Sequence, residues 1–104
     1  MLRRIFVIAA ALVVAGLIST VQAAGDIALG KTKAAQCAGC HGADGRGNEP
    51  NPSLAGKDLQ YLAKQMHDYK SGARQHAMMG MLMKPLGDQD IADLAAYYAS
   101  LKTK

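Results

Sequence analysis

Two cysteines three positions apart with a histidine directly behind them, Cys37-Ala38-Gly39-Cys40-His41, constrain this chain of 104 residues more than any other feature. Thiols at that spacing lie on neighbouring faces of one helical turn. They can add across the two vinyl groups on one side of a porphyrin. The histidine is then carried under the ring, where an imidazole nitrogen can ligate iron. A bare Cys-x-x-Cys would also suit zinc, thiol redox chemistry or a disulfide. The adjacent His41 selects covalent attachment of one haem c through Cys37 and Cys40. Zinc would want two more ligands, and no second cysteine pair exists to supply them. The chemistry implied is electron transfer, with no catalytic residues of the chain's own.

The N-terminus reads as a targeting segment rather than part of the fold. Arg3 and Arg4 precede an uncharged apolar run over 5–18, and Val21-Gln22-Ala23 offers small residues at the positions a signal peptidase reads. The run is shorter than the roughly 20 residues of a spanning helix. The expectation is a secretory signal over 1–23, a single domain over 24–104, a periplasmic location, and no stable membrane insertion after cleavage. Export sharpens the reading of the cysteines, because thioethers use both and leave no odd thiol. The excess of basic residues, +4 for the whole chain, shrinks when Arg3 and Arg4 leave, so charge gives no argument for a nucleic-acid partner. A domain of about 80 residues without Trp has a marginal core, and a bound macrocycle would supply the missing apolar surface.

Three helical stretches are predicted and no strand. The first covers about 27–36, with Asp26 as N-cap, and its interior Gly30 suggests a close approach by another helix. Residues 42–56, rich in Gly, Pro, Asn and Asp, form a loop. The second helix covers about 58–70, with Leu59, Leu62, Ala63 and Met66 as its buried face. A methionine-rich connection over 73–87 leads to the last helix, 88–101. Ile91, Leu94, Ala95, Tyr98 and Leu101 make its inward stripe, and Asp88 and Asp90 suit its first turn.

The second axial position on iron decides what such a site does. An open position admits ligands, whereas a thioether gives six-coordinate iron of raised potential. Candidates lie in Met78-Met79-Gly80-Met81-Leu82-Met83, and spacing alone does not choose among them. The remaining methionines suit packing round the ring, better than they suit copper(I). His67 and His76 are rival ligands, each in polar surroundings that suit a solvated histidine. Lys31, Lys33, Lys57, Lys64, Lys70 and Lys84 are candidates for a ring of charge steering acidic partners.

Several ordered segments carry a family likeness: Gly25-Asp26 and Gly30, Cys37 to Gly42, Asn51-Pro52-Ser53-Leu54-Ala55-Gly56, Tyr61-Leu62-Ala63-Lys64-Gln65, Tyr69-Lys70-Ser71-Gly72-Ala73-Arg74, and Leu86 to Tyr98. On these the chain resembles class I c-type cytochromes over its whole length after the leader. It is most like the small bacterial single-haem kind and one half of the two-haem cytochrome c-four. The resemblance implies an all-α, class I cytochrome c fold: three main helices around one covalently bound haem, the first and last crossing near Gly30. It places the axial ligands at His41 and Met79 and gives the Pro52 carbonyl to the second ring nitrogen of His41. Tyr61, Gln65 and Arg74 fall at the haem edge. Two departures stand out: Gly87 where Ser or Thr is usual before the last helix, and Lys57 where Gln is usual. The function implied is a periplasmic carrier of single electrons between redox protein partners. The haem subunit of flavocytochrome c sulfide dehydrogenase is similar too, which offers a second role beside a flavoprotein subunit. A sensor with a labile methionine is a third.

Overall fold

The computed structural model describes residues 24–102. The signal segment expected over 1–23 lies outside them. Within the described residues the chain is helical and contains no strand, only an isolated bridge between Asn48 and Asn51. The helices are α1 (Ile27–Lys33), α2 (Ala38–His41), α3 (Leu59–Ser71), α4 (Ala77–Met83) and α5 (Asp88–Ser100). None is long and apolar enough to cross a membrane.

α1 and α3 start where a side chain satisfies the open N–H groups of a first turn. The Asp26 carboxylate accepts from Leu29 N–H at 2.9 Å, and Asp58 accepts from Tyr61 N–H at 2.9 Å. Gly87 has no side chain to offer, and Asp90 compensates by accepting the Gly87 N–H at 2.8 Å. The first predicted helix is divided. α1 stops at Lys33 and a 3₁₀ turn, Ala34–Gln36, leads into α2, so the haem motif sits on its own short helical turn.

The core gathers on α5, whose Ile91, Leu94 and Ala95 are fully buried and pack with Leu62 and Met66 of α3, Met83 of α4 and Ala34. Leu59 departs from the expected buried face: it is 46% exposed, because it stands in the first turn of α3 and is left outside that core. α1 lies across α5 with no room at the crossing. A Cβ on Gly30 would fall 2.0 Å from the Asp93 carbonyl oxygen and 2.7 Å from Tyr97 Cβ. Glycine is required there by contact, as the resemblance implied.

The same crossing hides a charged cluster. Asp93 is fully buried, and its carboxylate accepts from Asp26 N–H at 2.8 Å, Gln89 Nε2 at 2.9 Å and Lys33 Nζ at 2.5 Å. Lys33 also meets Asp90 at 2.8 Å. The hydrogen bond from Lys33, reinforced by those from Asp26 and Gln89, holds the Asp93 carboxyl down at about 2. Lys33 is thus a structural clamp between α1 and α5 rather than part of a steering ring.

The largest correction concerns 73–87. The expected irregular connection contains α4, a seven-residue helix. Ala77, Met78, Met79, Met81, Leu82 and Met83 carry no β-branch and lose little rotamer freedom in a helix, so propensity outweighs the interior Gly80.

Candidate functional site

α2 ends on His41, the residue the loop behind it is built to hold. His41 is 6% exposed, and its Nδ1 donates to the Pro52 carbonyl at 2.8 Å. The His41 carbonyl in turn accepts the Gly47 N–H at 2.7 Å. Gly47 has φ +71°, and a Cβ there would lie 2.4 Å from the Asn51 carbonyl and 2.6 Å from the Pro52 carbonyl carbon. Only glycine lets the loop return close enough for Pro52 to reach the imidazole. With Nδ1 committed, no hydrogen bond is made to Nε2 among the described residues.

His41 lines a cleft of about 260 Å³ whose wall is mainly apolar. Cys37 and Cys40 line it from the same turn and form no disulfide. Burial raises the Tyr98 hydroxyl above its ordinary pKa. Leu62, Met66 and Met83 bring core side chains to the cleft floor.

α4 supplies the methionines, and their placement differs. Met79 is half-buried, packs against the core and lines the cleft. Met78 also lines it but is 52% exposed, whereas Met81 is 61% exposed and does not. Met83 is buried in the core beneath. Of the rival histidines, His76 lines the cleft and caps α4, with Nδ1 accepting the Met79 N–H at 3.2 Å. His67 is on α3, 4.0 Å from Asp88, and does not line the cleft.

Lys57 and Arg74 are the charged side chains at the rim, and no carboxylate joins them among the described residues. Tyr61 and Gln65 stand on the same wall, and Arg74 Nη1 donates to Gln65 Oε1 at 2.6 Å. The other lysines proposed for a ring are elsewhere. Lys64 pairs with Asp68 at 2.6 Å, and the Lys70 ammonium donates to the Leu86 carbonyl.

Two thiols on one turn, a buried imidazole with one nitrogen committed and one left over, a half-buried thioether and a cationic rim fit a single group. It is a flat apolar macrocycle with acidic substituents and an iron at its centre. Residues 27–102 match the cytochrome c family. The chain belongs to that family. Its cytochrome c domain, with Cys37 and Cys40 in the Cys-x-x-Cys-His spacing, carries one covalently bound haem c. Cytochrome c4 of Pseudomonas aeruginosa is 54% identical over 88 residues, covering 84% of this chain and 44% of that protein. The cytochrome subunit of sulfide dehydrogenase of Chlorobaculum tepidum is 35% identical over 75 residues, covering 72% of this chain and 68% of the subunit. Among solved structures, reduced recombinant cytochrome c4 from Pseudomonas stutzeri superposes with a TM-score of 0.69. It is 42% identical and matches 76% of this chain and 47% of that chain. This cytochrome thus spans about half the length of the cytochrome c4 proteins it matches.

Two contributors are not singled out by the sequence. Gly47 is one glycine among several in its loop, and the turn that brings Asn51 back against Asn48 is what makes it indispensable. His76 stands in a polar segment that suits a solvated histidine, and histidine is not among the usual N-caps that would announce α4.

Proposed function

We propose that this cytochrome is a periplasmic carrier of single electrons, its iron held between His41 and Met79. The observation that carries the reading is the 2.8 Å bond from His41 Nδ1 to Pro52 on the edge of the same cleft that Met79 lines. Haem c supplies a one-electron iron couple when bound. The chain's residues then set its terms. Pro52 fixes the imidazole ring and makes its other nitrogen a stronger donor. A thioether from Met79 is a soft ligand that raises the potential relative to a second imidazole. The apolar wall keeps water from His41, and His41 and Met79 together would hold the group through a one-electron change without exchange of ligands. Cys37 and Cys40 prevent loss of the group outside the cell. Lys57 and Arg74 at the rim favour acidic redox partners.

The likeness to a sulfide dehydrogenase cytochrome subunit supports a second reading, in which this chain removes electrons from a flavoprotein that performs the chemistry. A spectroelectrochemical titration of the holoprotein, with gel filtration of the periplasmic fraction, tests both. A single one-electron wave, no carbon monoxide binding by the reduced form, and a monomer support the free carrier. Elution with a flavoprotein supports the subunit, and carbon monoxide binding without denaturant overturns both.

A further inference from the structure

The first turn of α4 is fastened from outside, at Met79, whose side chain lines the cleft. His76 has extended backbone (φ −158°, ψ 121°) and its carbonyl accepts the Gly80 N–H at 2.8 Å, the geometry of an N-cap. Its Nδ1 takes the N–H of Met79 itself at 3.2 Å. The His76 ring is steadied in turn by α3. It meets the Tyr69 ring edge-on at 6.2 Å between centroids, and the Arg74 guanidinium sits 4.8 Å above that ring. Arg74 is tied down by the Gln65 side chain at 2.6 Å and by the Asp68 carbonyl at 3.0 Å. A continuous set of contacts therefore runs from one face of α3 to the backbone of Met79.

A helix of seven residues does not stand on its own propensity, and its first N–H groups need partners. We propose that His76 is a positioning residue for Met79, and that its cap on the Met79 N–H sets how readily the sulfur leaves iron. The inference rests on the reading of Met79 as axial ligand. Withdrawing the sulfur moves the first turn of α4 and breaks the bond to Nδ1, so the cap adds to the cost of detachment. A typical N-cap changes such an equilibrium about fivefold.

The test titrates ferric holoprotein with imidazole, a probe that reaches iron only where Met79 has left. His76 is exposed, so replacing it leaves the core intact. The expected result is an apparent imidazole affinity about fivefold higher in His76→Ala, returned near the wild-type value in His76→Asn, which restores a cap acceptor. A residue of merely structural importance would shift the unfolding midpoint without this pattern at iron. Unchanged affinity in His76→Ala overturns the proposal, and so does an Asn variant that behaves like Ala. The far-red methionine–iron(III) band, recorded in Met79→Ala, tells the two failures apart. A band that survives there removes the ligand reading and this inference together. A band lost there, with His76→Ala indistinguishable from wild type, overturns the positioning role alone.

Discussion

The crossing of α1 over α5 and the wall of the haem cleft are held together by different means. At the crossing the protein is its own filler. Gly30 lies against the Asp93 backbone, and Ile91, Leu94 and the Asp93 side chain are fully buried, with every polar atom of that carboxylate partnered. At the cleft wall, Tyr61 and Met78 are half-exposed apolar side chains, Cys37 and Cys40 form no disulfide, and one His41 nitrogen makes no hydrogen bond among the described residues. One region is complete as folded, and the other is shaped round a group that completes it. The difference explains how so small a domain, poor in aromatic residues, keeps a fixed frame behind a site meant to receive a prosthetic group.

The sharpest way to break the contrast is Gly30→Ala. Its Cβ would meet backbone rather than a movable side chain, so relief requires the helices to separate. A cost of about 3 kcal/mol is expected, lowering Tm by roughly 12 °C or more. An Ala variant melting with the wild type would show that the crossing is not the rigid half.

Acid should act on the same region. The folded pKa of Asp93, about 2, is below its ordinary value of 3.8. The stability it contributes is therefore complete above the ordinary value and lost as pH falls through about 2. Asp93→Asn is expected to be less stable than wild type at neutral pH, with the gap closing toward pH 2. Denaturant midpoints across that range check it, and a gap that holds constant would sink the clamp.

The smallest effect is expected on the other side of the comparison. Gly47→Ala pushes the Asn51–Pro52 turn away from His41, weakening the bond that orients the ring and increases its donation. The reduction potential should rise by on the order of 50 mV, the equivalent of about 1 kcal/mol on a one-electron couple. Redox titration reads it directly, and an unmoved potential would mean that Pro52 does not tune the imidazole.

What was legible in the sequence follows this division only in part. The haem motif, Asp26 as a cap, the glycine at the crossing and the stripe on α5 are local signals, written in spacing and residue type, and all stand in the structure. Asp93 was readable as one member of a motif, but its burial depends on Lys33 and Asp26 arriving from α1, a pairing across 60 and 67 positions that no local window contains. α4 escaped because its start carries His76 where Ser, Thr, Asp or Asn would announce a helix. Its run of residues without β-branching is the signal available. Leu59 satisfied the helical period yet lies outside the core, since periodicity gives a face and not how far the neighbouring elements extend over it.

The central claim is that the cleft is closed at iron by one methionine of α4. The most direct measurement is the far-red band of sulfur-to-iron(III) charge transfer in the ferric holoprotein, compared across Met78→Ala, Met79→Ala and Met81→Ala. The account predicts that the band is present in the wild type, disappears in Met79→Ala and persists in the other two. A band absent from the wild type, or one that vanishes with Met78 instead, would contradict it.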